Sequence, residues 1–457
     1  AVMARDYGSF LAAAGGDAWE ALGMLHGQPS SEAYMDLWNN SVGRDIADQL
    51  GESATNDQLA AAVKKALDDG KLVVLPPSEQ RRDYTEYLMR DLQTRFEHAK
   101  DARSPLILDL DGDGVETTAL AAGTHFDHDG NTFAEATGWV GKDDGLLVLD
   151  KNGNGTIDNG SELFGNNTAL KAGGKAANGF AALADLDGNA DGKIDSQDAA
   201  FATLKVWKDG NGDGVTQAGE LLTLAQAGVA SLATAYTSQG SVDANGDYSA
   251  GTTSAIDANG NQHRQVGTYT KADGTTAKLD DVWFKVNKAD TIEKALVPVS
   301  AAIAALPEIE GFGNVSSLHQ AMQKDSSGKL KSLVSQFVLE TDASKRDALV
   351  TSIIYQWAGV QDVDPDSRAA TKIYGNVIGD ARKLEALEEF LGEEYLGTWC
   401  WGERDPNPHG VAAPILLQSF DELASYVSGR LLLQTEYKSL IDTLDIQIDG
   451  GKVVWKV

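Results

Sequence analysis

A single cysteine, Cys400, in 457 residues excludes an intrachain disulfide and any Cys-rich zinc site. Basic residues are scarce as well. The 38 Lys and Arg against 68 Asp and Glu leave a formal net charge of -30, so the whole surface would repel a nucleic acid or an anionic membrane. The seven histidines form no H-E-x-x-H pair, and neither a G-x-S-x-G elbow nor a P-loop occurs. His125 and His128 lie in an Asp/Gly loop without further ligand spacing, and Trp399-Cys400-Trp401 with His409 reads as a structural thiol. No run of about 18 apolar residues is present. The opening Ala1-Val2-Met3-Ala4-Arg5 is not a signal peptide and reads as the middle of a longer polypeptide. These absences fit an intracellular protein, and equally one exported unfolded and then held together by metal.

What is present divides into three parts. Hydrophobic residues make up 42% of the chain, enough for real cores. Residues 1–103 read as helical: Leu59, Val63, Ala66 and Leu67 share one helical face, Tyr84, Tyr87, Leu88, Leu92 and Phe96 another, and Pro76-Pro77 separates them. Asn39, Asn40 and Arg44 there are assigned to capping and packing. Residues 104–289 are dominated by Gly, Asp, Asn and Thr, with short apolar runs such as Leu106-Ile107-Leu108 and Leu146-Leu147-Val148-Leu149 leading into Asp/Gly loops. Residues 290–457 return to a helical period, in stripes such as Leu330, Leu333, Val334, Phe337 and Val338. Ile446 to Trp455 then alternate around Asp449-Gly450-Gly451 as a terminal hairpin. The expected fold class is α+β and multidomain: a calcium-loop, EF-hand-like α+β module between two mainly α-helical regions, ending in a short β-hairpin.

The central part carries the chemistry. Asp209 to Glu220 fits the calcium loop D-x-[DN]-x-[DN]-G-x5-E at every fixed position. Calcium takes six to eight oxygens. Asp209, Asn211 and Asp213 supply side-chain ligands, Val215 a carbonyl, and Glu220 the bidentate closure, while Gly214 permits the bend. Asp187, Asn189, Asp191, Lys193 (carbonyl), Asp195 and Asp198 repeat the pattern, with a shorter closing acid. These two loops are expected to pair as EF-hands through a helix around Phe201 to Trp207. A third loop, Asp150, Asn152, Asn154, Thr156 and Asp158, has its closing Glu162 one position late. A fourth, Asp109, Asp111, Asp113 and Glu116, is entered from a strand, and a thinner fifth comprises Asp127, Asp129 and Asn131, with Glu135 as an extra ligand. Turn chemistry accounts equally well for Asp243-Ala-Asn245-Gly-Asp247 and Asp257-Ala-Asn259-Gly-Asn261.

Several long motifs resemble the self-processing module of FrpC-type RTX proteins. They are Ser104-Pro105-Leu-Ile-Leu-Asp109-Leu-Asp-Gly-Asp-Gly-Val-Glu116-Thr-Thr, Ala136-Thr-Gly-Trp139-Val, Asp144-Gly-Leu-Leu-Val-Leu-Asp150, Ile157-Asp-Asn-Gly-Ser-Glu162-Leu-Phe-Gly165, Val206-Trp-Lys-Asp209 and Gly267-Thr-Tyr-Thr-Lys-Ala-Asp-Gly274. The likeness runs from Pro105 to the late 280s. It implies a calcium-folded module in a protein that leaves Gram-negative bacteria by type I secretion. It also implies calcium-triggered cleavage of an Asp-Pro bond at the module's N-terminal edge: the Asp carboxylate closes an anhydride, which water or a lysine amine opens. Here the residue before Pro105 is Ser104, which has no such carboxylate, so self-cleavage is expected to be lost.

The expected function is therefore a calcium-binding segment of a secreted RTX-type protein, extracellular or held at a cell surface, that orders around several Ca2+ ions after export. Its partners are calcium and another protein or a cell surface, without nucleic acid and without a transmembrane segment. Two alternatives stand beside this: a still-active processing or cross-linking protein, and a toxin or hydrolase with its active site in a flanking helical region. The balance is against an enzyme, since Ser104 and Pro105 stand where the scissile Asp-Pro pair would be.

Overall fold

The computed structural model describes residues 46, 56–68, 103–242, 248–253, 255–369, 375–398, 404–408, 410, 412–436, 438, 445–449 and 452–456. Leu106–Leu108 forms the centre of an eight-stranded antiparallel sheet. The spatial order is Lys193–Ile194, Val229–Ser238, Gln262–Lys271, Thr276–Trp283, Leu106–Leu108, Gly145–Val148, Lys205–Trp207 and Leu221–Thr223.

Successive side chains on a strand point to opposite faces, so a continuous apolar run needs a core on both sides. The structure supplies both. Leu106 and Leu108 join Leu147, Val206, Leu232 and Leu279 in one core, beneath the helix Gly179–Ala184. Ile107 joins Leu146, Val148, Trp207 and Val282 in the other, with Phe126, Trp139 and Phe284. Full burial of each such side chain contributes roughly 1.5–3 kcal/mol. The helix is started by Asn178, whose side chain accepts from the Ala181 N–H at 2.8 Å.

The expected helix around Phe201 to Trp207 does not form. Residues 201–203 turn, and Lys205–Trp207 is a strand paired with Gly145–Val148 on one side and Leu221–Thr223 on the other. Val206 and Trp207 enter opposite cores, which a helix in that place would prevent. The loop Asp209–Glu220 thus connects two strands, and the EF-hand expectation of helices on both sides is corrected.

Beyond the sheet, helices Ala301–Ala304, Leu318–Lys324, Lys329–Leu339, Ala343–Trp357, Ala381–Leu391 and Ala413–Leu433 share a core of Leu330, Val334, Phe337, Ile353, Leu384, Phe390, Phe420 and Leu423, among others. Val338, read into the same stripe, is 36% exposed. Asp342 and Asp380 cap two of these helices through backbone N–H groups of Lys345 and Arg382. Asp445–Asp449 and Lys452–Lys456 pair as an antiparallel hairpin. In the first part a helix spans Asn56–Asp68. Asn39, Asn40, Arg44, the stripe from Tyr84 to Phe96, Cys400 and His409 lie outside the described residues.

Candidate metal centre

Asp209 is completely buried. Its Oδ1 accepts from the Gly212 N–H at 2.7 Å, and its Oδ2 from the Gly214 N–H at 2.9 Å and the Trp139 indole Nε1 at 2.8 Å. Gly214 has φ +70°, a conformation that favours glycine, and an added Cβ would lie 2.7 Å from the His125 carbonyl oxygen. Glu220, at the other end of the loop, accepts from Trp207 Nε1 at 3.2 Å and from the Gln217 N–H at 2.9 Å. Two tryptophans packed edge to face at 5.6 Å therefore hold the first and last acids of one loop. Asp213 Oδ1 accepts from the Val215 N–H at 2.9 Å, and Asn211 Nδ2 donates to Asp213 Oδ2 at 2.8 Å.

The other loops repeat the first-residue arrangement. Asp150 accepts from Gly153 and Gly155 N–H, and Asp187 from Asp191 and Gly192 N–H. In loop 150–162, Asn152 and Asn154 both donate to Asp158, as does the Thr156 hydroxyl. The late Glu162 is 3% exposed and folds back to accept from the Lys151 and Asp158 N–H groups, so its displacement by one position is absorbed. In loop 187–198, Asn189 accepts from the Asp191 N–H. Asp198 accepts from Gly188 and Asp195 N–H, and Lys193 forms ion pairs with Asp195 and Asp191.

The expected partnership of loops 187–198 and 209–220 is replaced by another. The Ile157 N–H donates to Thr216 Oγ1 at 2.9 Å, joining the eighth positions of loops 150–162 and 209–220. The eighth position of loop 187–198, Ile194, instead pairs with Leu232 at the sheet edge.

Loop 109–116 draws on a residue that sequence spacing missed. The antiparallel register Leu108↔Gly145 sets Asp109 beside Asp144, which is completely buried. Asp144 accepts from the Leu110 N–H at 3.3 Å and the Glu116 N–H at 2.8 Å, and burial pushes its carboxyl up to about 7. Carboxylate oxygens of Asp109, Asp111 and Asp144 lie within 4.8 Å of one another, as do those of Asp111, Asp113 and Glu116. Burial likewise raises Glu116, whereas Asp113 is raised first by its hydrogen bond with Asp111. The signal for Asp144 lay in the strand pairing, not in the 33-residue gap separating it from Asp111.

In loop 127–135, Asp127 is 5% exposed and accepts from Gly130, Asn131 and Thr132 N–H. Glu135 accepts from the His128 N–H at 2.9 Å, and burial pushes it to about 7. Asp129 pairs with Arg103 at 3.2 Å and accepts from the Asn131 N–H. Asp257 is a hydrogen-bond hub instead: Thr117, Asn259, Asn261 and His263 all converge on it. Burial alone would raise Asp257, but these donors bring it to about 2. Asp243, Asn245 and Asp247 lie outside the described residues.

Ser104 is 5% exposed, and its N–H donates to Asn166 Oδ1 at 3.1 Å. Its carbonyl packs so closely on Gly165 that a Cβ there would fall 1.3 Å from the oxygen. The Pro105 carbonyl accepts from the Val282 N–H at 3.0 Å. Beside it, Asp281 is completely buried and is pushed up to about 7 by that burial.

The sheet, its two cores and these loops fall together in one stretch of chain, and residues 106–285 match the model of the SPM domain family. The chain is also 44% identical over 256 residues to the iron-regulated protein FrpA of Neisseria meningitidis serogroup C, a match covering 56% of this chain and 22% of that protein. The two matches support an FrpA/FrpC-type RTX module at the centre of the chain. The chain spans about a fifth of the length of that relative.

Proposed function

We propose that residues 104–289 are a module that folds around several calcium ions in a secreted RTX-type protein, between a helical region at 1–103 and one at 290–457 that ends in a hairpin. Export by the type I route would carry it from a Gram-negative cell unfolded, into calcium. The observation that carries the reading is the burial of acids without counter-ions. Asp109, Asp127, Asp144 and Asp209 are each no more than 5% exposed, and none forms an ion pair with a basic side chain among the described residues. A buried carboxylate left unpaired costs several kcal/mol.

A divalent cation offsets that cost, and the donors fit calcium. They are oxygens of Asp, Asn and Glu with backbone carbonyls, without a soft ligand. Asp209, Asn211, Asp213, the Val215 carbonyl and Glu220 would hold one ion; the sets beginning at Asp109, Asp127, Asp150 and Asp187 would hold others. Calcium would supply folding free energy, since the acids repel one another without it. Ser104 leaves the bond to Pro105 without an attacking carboxylate, so the module is a calcium-ordered unit rather than a protease of itself. A partner protein or a cell surface is the remaining contact this reading admits. Isothermal calorimetry with calcium tests it: several ions per chain with a large heat are expected, and no binding at millimolar calcium would overturn it.

A further inference from the structure

Three of the loops share a template but not a charge environment. In loop 187–198, Lys193 Nζ lies 2.6 Å from Asp195 Oδ2 and 3.8 Å from Asp191 Oδ2. In loop 150–162, the first acid, Asp150, has Lys205 Nζ 3.6 Å from its Oδ2. The sheet puts Lys205 there, because the register Val148↔Lys205 sets it beside the strand that runs into Asp150. Loop 209–220 differs. Asp209 and Glu220 are held by backbone N–H groups and two indole N–H groups, all neutral, and no basic side chain pairs with the loop's acids among the described residues.

We propose that Lys193 and Lys205 are internal counter-ions that compete with calcium for loops 187–198 and 150–162, so that loop 209–220 fills first and the other two fill at higher calcium. The inference rests on the calcium reading above and deepens it. A neighbouring ammonium offsets one carboxylate's attraction for the cation, so Lys193 cancels the fourth acid of loop 187–198, whose shorter closing Asp198 then leaves it behind loop 209–220 with its Glu220. A neutral indole donor steadies Asp209 without reducing its charge, so the same hydrogen-bonding need is met at no electrostatic cost to the ion. Coupling follows as well, because loops 150–162 and 209–220 touch through Ile157 and Thr216.

Calorimetric calcium titration of the full chain at low salt tests this with Lys193→Met, Lys205→Met, Glu220→Gln and Lys175→Met. Lys175 contacts Asn167 and lies off the three loops, so Lys175→Met controls for net charge. The wild type should show a tighter and a weaker class, with Glu220→Gln weakening the tighter one. Lys193→Met and Lys205→Met should each tighten the weaker class by roughly threefold to tenfold, the lower figure reflecting solvent screening. Lys175→Met should change neither. Unchanged affinity in both lysine variants, or tightening equalled by Lys175→Met, would overturn the proposal while leaving calcium binding intact. Absence of calcium binding in the wild type would instead overturn the reading beneath it.

Discussion

Trp139→Phe removes one hydrogen bond from a fully buried acid and changes little else nearby. Asp209 keeps the Gly212 and Gly214 N–H groups but loses the indole donor at 2.8 Å. A hydrogen bond to a charged group contributes about 1.5–3 kcal/mol. Trp139 packs against Phe126 at 5.1 Å, Trp207 at 5.6 Å and Phe284 at 5.7 Å, so the smaller ring leaves a partial cavity costing about 1 kcal/mol more. The total loss of stability in calcium is then about 2.5–4 kcal/mol, read as a fall in urea midpoint. Loss of an outer partner of a metal ligand also weakens binding about tenfold to a hundredfold, read by calcium titration. Trp283→Phe is the control, because its indole donates to the neutral Gln265 Oε1 at 3.2 Å; about 1 kcal/mol and unchanged calcium affinity are expected. Trp139→Phe retaining calcium affinity within about twofold of wild type would refute the reasoning.

Asp144→Asn keeps the shape of a buried acceptor but removes its charge, and should weaken calcium at loop 109–116 about tenfold to a hundredfold; a calorimetric profile identical to wild type would count against its role. His263 sits between Asp257 and Asp280 at 3.6 and 3.1 Å. Burial alone would lower it, but the two carboxylates outweigh this and raise it to about 9. Its unfolded value is about 6.5, so the stabilisation is fully present below pH 6.5 and is lost as pH rises through 9, about 3 kcal/mol in all. His263→Gln should flatten that decline in urea midpoints between pH 6 and 9.5; an equal decline in both proteins contradicts the assignment. Ser104→Asp places a carboxylate that can close a five-membered anhydride on its own carbonyl. Mass spectrometry after calcium addition should find a new N-terminus at Pro105 in that variant and an intact wild type; cleavage of the wild type alone would show the account of Ser104 to be mistaken.

The loop shape was legible in the sequence: oxygen donors at positions 1, 3 and 5 with glycine at 6 is the spacing a calcium loop would need, and in the structure backbone N–H groups close these turns on the first acid. The Leu106-Ile107-Leu108 run was equally readable as an entering strand, and its lack of alternation matches a strand with a core on each face. Phe201, Leu204 and Trp207 misled, because their spacing of three suits a helix, yet the sheet took residues 205–207 and sent Val206 and Trp207 to opposite faces. Asp144 and the Ile157–Thr216 contact could not be read from spacing at all. Both arise from how distant segments come together, the first through strand register and the second through the approach of two loops. The Lys205 ion pair with Asp150 has the same origin.

Calcium-dependent ordering of the central module is measured most directly by hydrogen exchange with mass spectrometry, in chelator and in millimolar calcium. Amides of Leu106–Leu108, Gly145–Val148, Lys205–Trp207 and the loop Asp209–Glu220 should exchange within seconds in chelator and become strongly protected in calcium. Equal protection of these segments in both conditions would contradict the claim that calcium supplies the free energy that folds them.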